Sequence, residues 1–195
     1  EDWHSLQVKD FLYGTFLPEE KYYKIAPGQG ANLWEESLSG GFISIGWGET
    51  GDLTQYPDYE EFINAFQSQG FHATPGKNTE KANELWQFYN LKTGDKIVAN
   101  KGKSQILAIG TVVGPYAYRP DLDMQKHTVP VRWDSVYNPP LDIPAQDYWA
   151  MKTLLELTKK QVQEWTSAKS SKPEKASCDA PIAFGVEEEL FYAKL

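Results

Sequence analysis

Apolar residues change their period several times along the chain, and each change predicts an element. Ser5-Leu6-Gln7-Val8-Lys9-Asp10-Phe11-Leu12 reads as a helix, stopped by Gly14 and Pro18. Lys21–Ala26 alternates like a strand and runs into Pro27-Gly28-Gln29-Gly30, a loop whose glycines let the backbone turn sharply or approach a ligand closely. Gly41–Gly48 is a second short strand. Phe62, Ile63 and Phe66 recur at helical spacing and predict an amphipathic helix over Tyr59–Gln69. A further helix spans Thr79–Asn90, with Leu85, Trp86, Phe88 and Tyr89 as its apolar positions.

From residue 91 the period falls to two. Leu91-Lys92-Thr93-Gly94-Asp95 is a polar turn, and Lys96–Asn100 a strand. Lys101-Gly102-Lys103-Ser104 makes a hairpin into the buried strand Gln105–Val113, an irregular loop covers Gly114–Lys126, and His127–Trp133 closes the meander. Pro139-Pro140 and Pro144 end this body, after which Asp147–Trp165 reads as a helix. Ser167–Ser177 is a Ser/Lys/Pro/Glu-rich linker, and apolar residues return among acidic ones over Ile182–Leu195. Short strands with interleaved helices predict an α+β domain built on a small closed β-barrel.

Composition narrows the class. With 41% hydrophobic and 14% aromatic residues, 195 residues are enough to bury a core. The lone cysteine, Cys178, cannot form an internal disulfide and suits a reducing, cytoplasmic setting. The first residues, Glu1-Asp2-Trp3-His4, lack both regions of a signal peptide, and the missing initiator methionine suggests that the chain is a fragment. The net charge of -8 argues against a coat of phosphate-binding groups. Mapped along the chain, however, Lys92, Lys96, Lys101, Lys103, Arg119, Lys126 and Arg132 face only Asp95, Asp121 and Asp123, which leaves a local basic stretch.

Catalytic sets are lacking: there is no phosphate loop, paired-histidine metal helix or G-x-S-x-G elbow. His4, His72 and His127 lie far apart and away from cysteine, so no metal and no cofactor is expected. Asp52 and Asp58 fit turn and helix caps better than an acid pair. Gly28-Gln29-Gly30 has Leu33 where a dinucleotide loop has its third glycine. The aromatic residues carry more. Trp34, Trp47, Tyr116, Tyr118 and Trp133 sit in or beside glycine-bearing loops and strand ends, where rings either join the core or stack on a base. A pocket for one extruded base needs such walls and a few polar groups for the Watson-Crick edge.

The strings Gly41-Phe42-Ile43-Ser44-Ile45-Gly46-Trp47-Gly48-Glu49-Thr50-Gly51-Asp52-Leu53, Leu85-Trp86-Gln87-Phe88, Gly94-Asp95-Lys96-Ile97-Val98-Ala99, Ile109–Tyr118 and His127–Trp133 together resemble the EVE-type N-terminal domain of McrB-like AAA+ GTPases. The resemblance covers about residues 20 to 140. It implies a PUA-like, YTH-related fold over 21–145, with a helical extension over 1–20, a helix over 146–166, and a linker leading to a missing AAA+ module over 167–195. It further implies binding of DNA whose methylated base is flipped into an aromatic pocket, with no catalysis in this domain. Trp34 takes the place of the tryptophan that follows the first strand in YTH domains, and Tyr116 and Tyr118 match cage residues by position. With Trp47, Asn32, Ala26 and Pro27 they form the expected pocket, while Lys101, Lys103, Arg119, Lys126 and Arg132 are the expected phosphate contacts. By the same resemblance the intact protein hydrolyses GTP, self-assembles through its motor and recruits a nuclease subunit against modified foreign DNA. Methylated adenine and methylated or hydroxymethylated cytosine stay open, as does a PUA-like RNA-binding role. An enzyme acting on a flipped base needs a catalytic group in the pocket, and a protein-binding domain would use the loop aromatics as core or interface.

Overall fold

A computed structural model describes residues 20–167. The expected N-terminal helix, Cys178 and the 168–195 segment lie outside these residues. Seven strands form one curled, half-barrel sheet: β1 (Tyr22–Ile25), β2 (Phe42–Ile45), β3 (Lys96–Lys101), β4 (Gln105–Val112), β5 (Ala117–Tyr118), β6 (His127–Asp142) and β7 (Leu154–Leu157). Their order is β2-β6-β4-β3-β1-β7, with β5 on β6. All pairs are antiparallel except β1 with β3, where Tyr23 lies opposite Ile97. Among the described residues no helix is long and apolar enough to cross a membrane.

The curl comes from β6. Its first residues pair with β2 and β5, and from Val131 onward it pairs with β4. Where it crosses, β4 carries Gly110, and a Cβ there would stand 2.5 Å from Val131 Cγ1 and 2.8 Å from the Arg132 carbonyl oxygen. Only glycine lets the two backbones approach so closely.

Period two divides the sheet between two cores. Ile97 faces one with Ile45, Val112, Val129, Phe62, Phe66, Leu85 and Phe88; its neighbour Val98 faces the other with Ile106, Leu141, Trp149 and Val162. The first core is roofed by α2 (Tyr59–Gln69) and α3 (Pro75–Tyr89). Asp58 caps α2, its Oδ1 accepting from the Glu61 amide at 3.0 Å, and Gly70 ends the helix in the left-handed region. Asp52 caps the short turn Leu53–Gln55 in the same manner, accepting from the Thr54 amide at 3.0 Å. Both aspartates are therefore caps.

Three expectations are corrected. Asp147–Trp165 is not one helix: it contains a 3-10 turn (Asp147–Ala150), β7, and α4 (Lys159–Ser167). Leu154–Leu157 adds to β1, and that pairing outweighs helical propensity. The sheet body does not stop at Pro139-Pro140. Val136 pairs with Ala108 and Leu141 with Ile106, so the prolines fall in a bulge where the ladder needs no N–H. The Gly114–Lys126 loop contains β5. Between the first loop and β2 lies a seven-residue helix, α1 (Trp34–Gly40).

Candidate functional site

Two neighbouring clefts are lined by the segments that follow β1, β2 and β3. The first, about 370 Å³, lies between the Gly28–Ala31 loop, Asn100 and Gly102-Lys103 at the tip of the β3–β4 hairpin, and Trp149–Thr153 ahead of β7; Gln125 closes one side. The second, about 520 Å³, lies between Gly46–Glu49 and Asp123–Lys126. Gln125 lines both.

Backbone dominates the loop wall of the first cleft. Gly28 and Gly30 have φ of 73° and 64°, and Ala31 joins them at 66°. At Gly28 a Cβ would lie 2.1 Å from Asn32 Oδ1, so the exposed Asn32 folds back on its own loop. The opposite wall is tied down by buried charge. Lys24, fully buried on β1, donates from Nζ to the carbonyls of Trp149 at 3.0 Å, Lys152, and Thr153 at 3.4 Å. Burial pulls its ammonium down to about 8, against the opposing attraction of Glu84, and the neighbouring Lys81 adds to the fall. Glu84 Oε2 accepts from the Thr153 and Leu154 amides at 2.8 and 3.3 Å, Oε1 accepts from Lys81 Nζ at 2.7 Å, and Lys81 also donates to the Met151 carbonyl at 2.7 Å.

Asn100, 2% exposed, is the unusual group in this cleft. Its Nδ2 donates to the Gly102 carbonyl at 2.7 Å, which fixes the amide, and its buried Oδ1 has no hydrogen-bond partner. Beside it Gln125 Oε1 accepts from Ser44 Oγ at 3.0 Å, while its Nε2 makes no hydrogen bond among the described residues. Asn100, with an unused acceptor, and Gln125, with an unused donor, thus both line the cleft, and an unpaired buried carbonyl costs about 1–3 kcal/mol. Sequence reasoning missed Asn100, because an asparagine late in a buried strand looks like a turn residue.

The second cleft rests on Trp47, whose φ of 65° places a bulky residue in the left-handed region. A chain of hydrogen bonds holds it there. His127, fully buried, approaches the Trp47 carbonyl through Nε2 at 3.0 Å. That carbonyl can only accept, so Nε2 carries the proton and Nδ1 accepts from the Tyr116 hydroxyl at 2.7 Å. Tyr116 in turn accepts from the Leu53 amide at 3.3 Å, and Thr50 Oγ1 donates to the Trp47 carbonyl at 2.8 Å. Tyr118 donates to the Gly48 carbonyl at 2.9 Å.

Burial lowers the His127 imidazole below its ordinary value, although the Trp47 carbonyl, Asp52 and Glu49 favour its charged form. The native state thus resists a proton that the unfolded chain accepts near pH 6.5. Its stabilising share is complete above that pH and lost as pH falls through the lowered native value. The urea midpoint is expected to fall between pH 6.5 and 5.5, above the carboxylate range. A flat midpoint there would contradict a buried neutral imidazole.

The expected pocket residues are not gathered into one cage. Ala26 lines the first cleft and Trp47 the second. Pro27 is buried behind the first, beside a small void shared with Ser44, Ala99 and Trp133. Trp34 lines neither; its ring meets Trp133 edge-on at 5.1 Å and packs with Ala31, Ala99 and Ala108. Tyr116 and Tyr118 serve as struts beneath the Trp47 turn, not as walls. Of the expected phosphate contacts, Lys103 lines the first cleft, Lys126 lines the second, and Lys101 is exposed beside Gly102. Arg119 is paired with Asp121 at 2.7 Å and Arg132 with Asp134 at 3.0 Å, so their charge is locally answered and the basic stretch is weaker than its composition suggests. Among the described residues no group of three or more His, Cys, Asp or Glu is placed to hold a metal ion.

Comparison with known proteins adds a family. No curated protein matches this chain. A similar solved structure is the X-ray crystal structure of protein Atu2648 from Agrobacterium tumefaciens, at 10% identity and a TM-score of 0.36, covering 76% of this chain and 92% of that one. Residues 23–158, from β1 through β7, match the family described as a domain of unknown function (DUF8426). Because that match spans well over half of the chain, the protein belongs to this family.

Proposed function

We propose that this domain binds nucleic acid by taking one extruded, modified base into the first cleft, and that it serves as the reading module of a modification-dependent restriction system. The observation that carries this reading is the unpaired, buried Oδ1 of Asn100 beside a loop that offers bare backbone. A base edge supplies the missing donor: adenine N6 and cytosine N4 each keep one N–H after a single methylation. The free Nε2 of Gln125 suits the adjoining ring nitrogen. Lys103 and Lys101 stand at the rim for phosphate. The finer reading of the curled sheet as a PUA-like barrel, and the likeness to EVE-type domains of McrB-like GTPases, belong to the same proposal. So do GTP hydrolysis and a nuclease partner in the intact protein; the role assigned to this domain is recognition.

The test is fluorescence anisotropy on matched duplexes that are unmodified or carry N6-methyladenine, N4-methylcytosine, 5-methylcytosine or 5-hydroxymethylcytosine, with the same strand as RNA. One modified duplex is expected to bind at least about tenfold tighter than its unmodified twin, the scale of a good base contact. Asn100→Leu is expected to abolish that preference while remaining folded, because the acceptor it removes is already unpaired and the Gly102 carbonyl that loses the Nδ2 donor belongs to an exposed hairpin residue open to water. Equal binding to every duplex, or none, overturns the proposal. Tighter binding to RNA would replace it with an RNA-binding role.

A further inference from the structure

The second cleft has no part in holding the extruded base, yet it is larger than the first and shares Gln125 with it. Its walls are of three kinds. Trp47 and Met124, the latter 57% exposed, give an apolar side. Gly46 and Gly48 leave the backbone bare, with the Lys126 stem 3.4 Å from where a Gly48 Cβ would be. Glu49 and Asp123 give two exposed carboxylates, neither with a hydrogen bond or ion pair among the described residues. The Trp47 turn is held in its left-handed conformation by the buried bonds of His127, Thr50 and Tyr118, so this wall is rigid.

An aromatic and thioether wall takes a flat ring, and the adjacent first cleft makes a neighbouring nucleotide the ring within reach. The carboxylates repel phosphate and select the base by its donors. Guanine presents two adjacent donors, N1–H and N2–H, that one carboxylate accepts together; adenine and cytosine present a single amino group, and thymine a single imino N–H. We propose that the second cleft is a subsite for the nucleotide flanking the extruded base, selective for guanine, with Glu49 and Asp123 as its specificity determinants and Trp47 and Met124 as its stacking wall. This inference rests on the base-reading role of the first cleft.

The experiment uses the full 195-residue chain and duplexes carrying the preferred modified base, with each of the four bases placed in turn on its 5′ and 3′ sides opposite an abasic site, so that no partner base occupies the donors of the flanking base. A flanking guanine on one side is expected to bind about tenfold or more tighter than thymine. Glu49→Gln combined with Asp123→Asn should bring that ratio close to one, without weakening the thymine-flanked duplex. Met124→Ala should weaken the guanine-flanked duplex most. Identical affinities for all four flanks, or a ratio that survives the double substitution, overturns the subsite and leaves the base-reading role intact. Absence of binding to every modified duplex overturns both.

Discussion

Glu84→Ala is expected to cost about 3–5 kcal/mol of stability, the range for removing one partner of a buried ion pair. The side chain is 5% exposed and its two oxygens accept from Lys81 and from the amides of Thr153 and Leu154. Deleting it strands two amides and leaves the buried ammoniums of Lys81 and Lys24 facing each other without their carboxylate. Such a loss is a large fraction of the roughly 5–15 kcal/mol that holds a typical domain together. Urea unfolding gives the size of the effect, and amide exchange at Thr153 and Leu154 shows where it falls. Glu84→Gln, which keeps oxygen and nitrogen atoms of the same shape, should lose less. A cost under about 1 kcal/mol for Glu84→Ala would mean that the lysines find other partners and that the stranded amides reach water.

Phe66→Ala should be of similar size, about 3–5 kcal/mol, the cost of emptying a buried aromatic site. Phe66 is fully buried, with ring centroids 5.8 Å from Phe62, 4.8 Å from Phe71 and 6.1 Å from Trp47. Its consequence reaches beyond stability, because Trp47 loses the surface against which its indole rests. Near-ultraviolet circular dichroism of the tryptophans should change along with the denaturation midpoint. If stability falls by several kcal/mol and the tryptophan signal is untouched, Trp47 is positioned by its backbone bonds alone.

Much of the fold was legible in local pattern. Tyr59–Gln69 was readable from Phe62 and Phe66 one turn apart, and the meander from alternation around glycine-bearing turns. The helix read over Asp147–Trp165 failed because Leu154 and Leu157, three residues apart, suit a helix, whereas in β7 they point to opposite faces and into the two cores; pairing with β1 and capture by Lys24 and Glu84, more than a hundred and about seventy residues away, decide the matter. Aromatic residues misled in a related way. Rings near glycines mark either a ligand wall or a strut, and only their partners distinguish the two: Tyr116 is bonded to His127 and Leu53, Tyr118 to Gly48. Conversely Asn100 carried no signal, since an unsatisfied acceptor is a property of packing. Asp52 and Asp58 were readable as caps because capping is decided within a few residues.

The buried anchoring of Trp149–Thr153 on Lys24 also fixes when the site can exist. One wall of the first cleft belongs to the loop after β1, and the other is joined to that strand across 125 to 129 positions of sequence. A chain emerging from the ribosome folds as its segments become available. The loop, the hairpin with Asn100 and the Trp47 turn are all in hand before residue 149 is made, yet the cleft has only one side. The first cleft therefore closes only with β7, the strand made after all the others of the sheet.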